Sequence, residues 1–234
     1  MKTIGLLGGM SWESTEHYYR LINELTRERL GGLHSAPIVM LSVDFHHIEA
    51  LQRAGDWASA SRILIDSATK LEAVGAEIML ICTNTMHKVA DEVQAAINIP
   101  LLHIADATAE RIIGSDVSTV GLLGTRFTME QDFYKARLER QGLRVLIPPL
   151  EDRQLVHQII YEELCLGKIL DESRSYYLRV VDELATQGAQ AVIAGCTEIG
   201  LLIKQHQTTM PLFDTSEIHA EQAVADALID TSKT

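Results

Sequence analysis

Three blocks of this sequence occur twice, in the same order and at nearly the same separation. No other feature constrains the fold as much. "IGLLGGM" at residues 4–10 returns as "VGLLGTR" at 120–126, and "GAEIMLICTN" at 75–84 returns as "GAQAVIAGCTE" at 188–198. "IPLLHIADATAE" at 99–110 returns as "MPLFDTSEIHAE" at 210–221. Gly5 therefore answers to Gly121, Cys82 to Cys196 and Pro100 to Pro211. Repeats of this kind mark two copies of one supersecondary design. Between the blocks, short apolar runs alternate with longer amphipathic segments, the pattern of βα units around parallel sheets. Strands are expected near 3–7, 38–43, 77–81, 101–104, 119–123, 145–147, 191–194 and 212–213. The fold class is therefore α/β, with two pseudo-symmetric lobes, each a parallel β-sheet flanked by helices, and an active site in the cleft between them. The expected division is an N-terminal lobe over 1–114, joined by a C-terminal helix at about 215–234, and a second lobe over 115–214. "TMEQ" at 128–131 has capping-box spacing and predicts a helix beginning at Thr128.

The chain carries 32 acidic and 20 basic residues, a formal net charge of −12, with no basic run able to track phosphates. Nucleic acid is not an expected partner. No segment approaches the roughly 18 uninterrupted apolar residues of a membrane span. The opening residues lack a secretory-signal pattern, with paired glycines followed by Trp12 and Glu13, so the expected location is cytoplasmic. Three cysteines, Cys82, Cys165 and Cys196, are an odd number at wide spacing, which argues for free thiols rather than a disulfide framework.

In parallel sheets, ligands bind outside the carboxyl ends of strands at the topological switch point. Cys82 and Cys196 each hold that position in their own half. A helix N-terminus at such a place lowers a thiol pKa and binds carboxylates. Inverting a stereocentre by proton exchange needs a base on one face and an acid on the other, and a pair of thiols can exchange those roles. Other readings of the same residues are less chemical. Cys165 lies in a helical pattern and reads as core. "GLLGGM" lacks the G-x-G-x-x-G spacing of a dinucleotide loop, and a tight strand-to-loop turn accounts for its glycines. Cys82 with His87, His46 and His47 matches no strong zinc pattern, so no metal is expected.

"CTNT" at 82–85, "GCTE" at 195–198, "GLLGGM" at 5–10 and "LLGTRFT" at 122–128 together resemble the aspartate/glutamate racemase family, amino-acid racemases that work without pyridoxal phosphate. The resemblance implies a two-lobed α/β fold, a homodimer, a small amino-acid substrate, no cofactor, and Cys82 and Cys196 as the catalytic pair. It further implies that Thr83, Asn84 and Thr85 donate to the substrate α-carboxylate, with Thr125 and Thr128 doing comparable work from the second half. Met10, Gln52, Thr197 and Glu198 would line the pocket, and the place of Glu198 beside Cys196 would let it accept from the substrate ammonium. One departure stands out: where members that accept aspartate tend to carry basic residues, this chain has Ile48 and Cys165. Lys168, Arg53, Arg126, His46 and His47 are the nearby basic candidates. Two other functions compete. One is a relative using paired cysteines on another carbon acid, of the hydantoin racemase, maleate isomerase or arylmalonate decarboxylase type. The other is a non-catalytic protein that binds a small acid.

Overall fold

The computed structural model describes residues 1–229; the end of the expected C-terminal helix, 230–234, lies outside the described residues. The first half runs β1 (Ile4–Gly8), α1 (Trp12–Leu30), β2 (Ile38–Ser42), α2 (Phe45–Ala54), α3 (Trp57–Ala73), β3 (Ile78–Ile81), a 3₁₀ turn at Thr85–Val89, α4 (Ala90–Ala95) and β4 (Leu101–Leu102). The second half runs α5 (Ile104–Ile113), β5 (Thr119–Gly124), α6 (Arg126–Glu130), α7 (Asp132–Arg140), β6 (Arg144–Leu146), α8 (Leu150–Glu162), α9 (Asp171–Thr186), β7 (Ala191–Gly195), α10 (Ile199–Leu202), β8 (Leu212–Asp214) and α11 (Thr215–Leu228). All eight expected strands are present, each within a residue or two of its expected ends. None of the helices is long and apolar enough to cross a membrane, among the described residues.

The strands form two four-stranded sheets with one topology, β2-β1-β3-β4 and β6-β5-β7-β8, parallel throughout. The repeat is reproduced at the level of single hydrogen bonds. Met79 N–H donates to Pro100 O at 2.9 Å, and Val192 N–H donates to Pro211 O at 2.8 Å. Successive strand residues point to opposite faces of a sheet, and both faces here are covered. In the first unit Leu7, Met79 and Ile81 enter one apolar cluster, while Ile4, Leu6, Ile78 and Leu80 enter another. In the second, Leu123, Val192 and Ala194 face one cluster, and Val120, Leu122, Ala191 and Ile193 the other. That burial explains why the strands read as continuous apolar runs.

Over the described residues, the compact units are Met1–His103 with 219–229, and Ile104–Ile218. The last helix therefore packs mainly with the first unit, where Ala220, Ala223 and Val224 join Tyr18 and Ile22 of α1. Helix α5, placed in the first half by the 1–114 division, packs instead with the second unit, where Ile104, Ala105, Ala109 and Ile112 share a cluster with Tyr134 and Leu138 of α7. The start of the helix after β5 also differs from expectation. Its N-cap is Thr125, whose Oγ1 accepts the Thr128 N–H at 3.3 Å, so Thr128 lies inside α6 and the helix breaks at Gln131 before α7.

Candidate active site

Strand order reverses at β1 in the first sheet and at β5 in the second, so each unit has a switch point between its two central strands. In the first unit, β1 ends in Gly8 and the chain turns at Gly9, whose φ is 90° and where a Cβ would lie 2.2 Å from the Val43 carbonyl oxygen. Only glycine fits there. Beside that turn, Cys82 continues β3: its N–H donates to Leu7 O at 2.9 Å, and its carbonyl accepts from Ser14 Oγ at 3.2 Å. The next N–H, of Thr83, turns back to Ile81 O at 2.8 Å, so the backbone bends sharply at the cysteine. Cys82, Thr83, Asn84, Thr85, Met10 and Gln52 are all buried. Gln52 reaches from α2 and donates through Nε2 to Met86 Sδ at 3.1 Å.

The second unit repeats the arrangement with different polar partners. Thr125 and Thr128 follow β5, buried, with their hydroxyls 3.2 Å apart. Cys196 follows β7, and its carbonyl accepts the Ile199 N–H at 3.0 Å as the chain enters α10. Glu198 is 2% exposed, and its Oε2 accepts from both Cys196 Sγ and Thr197 Oγ1, each at 2.9 Å. A hydrogen bond from a thiol to a buried carboxylate is a ready path for moving the thiol proton. The sequence reading offered Glu198 to a substrate ammonium and did not anticipate this contact with its own cysteine.

Both thiols are held well above the usual cysteine range, contrary to the expectation that helix N-termini would lower them. For Cys82 the cause is burial. For Cys196 burial is the largest cause, followed by the charge of Glu198 and then that of Cys165. The physical reason is element length. The chain after Cys82 enters a five-residue 3₁₀ turn, and the chain after Cys196 a four-residue helix. Such short stacks of peptide dipoles do not offset full desolvation of a thiolate.

Ile48 is fully buried in the core of the first unit, and Cys165 is half-buried against the cluster that holds Cys196. Lys168, Arg53, Arg126, His46 and His47 are all exposed. Among the described residues no group of three or more His, Cys, Asp and Glu side chains is arranged to hold a metal ion. The structure also shows contacts that sequence reasoning did not assign. Ser14 supports the Cys82 carbonyl, and His87 donates through Nδ1 to Thr83 O at 2.7 Å.

The profile of the Asp/Glu/Hydantoin racemase family matches residues 7–223. The chain belongs to that family. As an Asp/Glu/Hydantoin racemase it is an isomerase, and solved structures of similar proteins share its architecture. An assigned Asp/Glu racemase from Yersinia pestis is 55% identical, with a TM-score of 0.90, over 97% of this chain and 100% of that one. An aspartate racemase homologue from Pyrococcus horikoshii OT3 is 37% identical, with a TM-score of 0.84, over 97% and 99% of the two chains. The broad specificity amino-acid racemase RacX of Bacillus subtilis (strain 168) is 24% identical over 96% of this chain and 98% of its own.

Proposed function

We propose that the protein is a cofactor-independent amino-acid racemase, with aspartate and glutamate its first substrates, in which Cys82 and Cys196 exchange the α-proton on opposite faces of the substrate carbon. The observation that carries this reading is the duplicated placement of the two thiols, each at the first position after the equivalent central strand of its unit, β3 or β7. Burial keeps both thiols protonated at rest, so one must be deprotonated before chemistry begins. Glu198 supplies the means: its Oε2 takes the Cys196 proton across the 2.9 Å contact. The Cys196 thiolate then removes the α-proton from one enantiomer, and the Cys82 thiol delivers a proton to the other face. Cys82 is left as the thiolate, and the proton held by Glu198 returns to it through solvent after product leaves. The opposite enantiomer runs the same steps in reverse.

In this reading Thr83, Asn84 and Thr85 cradle the α-carboxylate, Thr125 and Thr128 add donors from the second unit, and Met10, Gln52 and Thr197 line the pocket. The buried, uncharged Ile48 and the half-buried Cys165 favour a second reading of the substrate range, in which the side-chain subsite admits neutral amino acids as well. The broad specificity of the Bacillus relative is in keeping with it. By family likeness we take the working form to be a cytoplasmic homodimer, which sedimentation velocity checks.

The deciding experiment follows deuterium entering Cα from heavy water over a panel of the common amino acids. Aspartate and glutamate are expected to exchange and to racemise, and Cys82→Ala and Cys196→Ala are each expected to abolish racemisation. Full activity in either variant rejects the two-thiol reading, and exchange across neutral amino acids selects the broader range.

A further inference from the structure

Near Cys82 the first unit buries three imidazole rings that the proposed proton transfer does not use: His87 at 3% exposure, His103 at 8% and His219 at 0%. His87 packs edge-on to His103 at 4.6 Å between ring centroids and to His219 at 5.8 Å. His219 comes from α11 and is itself pinned. Its Nε2 lies 2.9 Å from Leu102 O at the end of β4, and its Nδ1 lies 2.9 Å from the hydroxyl of Tyr18 on α1. A carbonyl oxygen only accepts, so Nε2 of His219 carries the proton and Nδ1 receives the tyrosine O–H. The same rule puts the His87 proton on Nδ1, where it is donated to Thr83 O.

That last bond has a consequence for the loop after the cysteine. The Thr83 carbonyl and the Asn84 N–H belong to one planar trans peptide, so they point in opposite directions. Fixing the carbonyl on His87 fixes the direction of the Asn84 N–H, which faces away from the imidazole. Charged ligands are bound well by donors that are aimed before the ligand arrives.

We infer that His87 is a positioning residue for the substrate-carboxylate cradle: its Nδ1–H holds the Thr83–Asn84 peptide so that the Asn84 N–H is aimed at the α-carboxylate, and His103 with the Tyr18–His219 pair holds the His87 ring. The inference rests on the racemase reading for the identity of the ligand. It assigns no proton transfer to His87.

The test compares His87→Leu, which removes the donor, with His87→Asn, whose amide nitrogen can stand where Nδ1 stood. On aspartate and glutamate, His87→Leu is expected to raise KM at least tenfold for both enantiomers while kcat falls less than threefold. His87→Asn is expected to bring KM back to within about threefold of the parent, in line with the 10–100-fold effects of supporting hydrogen bonds elsewhere. A merely structural role lowers the folded fraction and hence the apparent kcat at unchanged KM, in proportion to the loss of Tm. That pattern, an unchanged KM in His87→Leu, or equal KM in the Leu and Asn variants overturns the inference. If His87→Leu does not fold, His87→Gln replaces it, because its donor sits at the ε position and cannot reach Thr83 O. If the parent protein exchanges no α-proton, the racemase reading fails, and the same comparison is made on calorimetric affinity for aspartate and glutamate. A tenfold loss in Leu restored in Asn then supports the cradle alone, and absence of binding overturns both.

Discussion

Glu198 acts on Cys196 in two opposed ways, and in the proposed proton transfer their balance decides how the site starts. As a hydrogen-bond acceptor at 2.9 Å it is the place for the thiol proton to go, while its negative charge, second to burial, holds the thiol pKa up. Glu198→Gln removes the charge and keeps the shape. The alkylation of Cys196 by iodoacetamide, followed by peptide mass spectrometry, is therefore expected to set in at lower pH than in the parent. Racemisation is expected to fall by roughly 10²–10⁴-fold, the usual worth of a lost general base. An alkylation midpoint that stays or rises contradicts the assignment of the charge. The matching placement of Cys82 and Cys196 was legible because each sits in a repeated block behind an apolar run. His87 was not legible: its hydrogen bond goes to a backbone carbonyl four residues back, and any residue type supplies that acceptor. The basic candidates were ambiguous for a related reason. Nearness in sequence to Ile48 or Cys165 does not turn a side chain inward, and Arg53 and Lys168 point to solvent.

Elements were easier to read than their edges. Strands such as Ile78–Ile81 and Ala191–Gly195 are buried on both faces, so an unbroken apolar run announces them. Helix starts depend on single hydroxyls, and "TRFTMEQ" offers two threonines three residues apart. The capping-box pattern favoured Thr128, but the helix begins where β5 releases the chain, and Thr125 takes the cap. Thr125→Ala is accordingly expected to cost about 1 kcal/mol in urea unfolding. Thr125→Ser, which keeps the Oγ, is expected to lose less than half of that. Equal losses would show that the methyl group's packing, not the cap, is what matters. The assignment of α5 has a similar lesson. A repeat that sends α11 back to the first unit should send its counterpart α5, which follows the equivalent strand, forward to the second, and its buried Ile104, Ala105 and Ile112 do pack there.

At the scale of the whole chain, α11 ties its residues to the first unit through His219, and that tie depends on pH. Burial pushes the His219 pKa down from its ordinary 6.5 to about 4, so the folded first unit holds this ring neutral where an unfolded chain would protonate it. Protonation therefore favours the unfolded state. The contribution of His219 is full above pH 6.5 and is lost as the pH falls towards 4, a difference of about 3 kcal/mol from the size of the shift. Both tryptophans, Trp12 and Trp57, belong to the first unit, so their fluorescence follows the unfolding of that unit alone. Urea titrations read by tryptophan fluorescence at pH 7.5 and pH 4 are expected to show a stability loss in the parent about 3 kcal/mol larger than in His219→Gln, which cannot titrate. Other groups that titrate in this range contribute equally to both proteins and cancel in the comparison. If the two proteins lose the same stability, the fold does not hold His219 neutral, and its Nδ1 carries a second proton rather than accepting the Tyr18 hydroxyl.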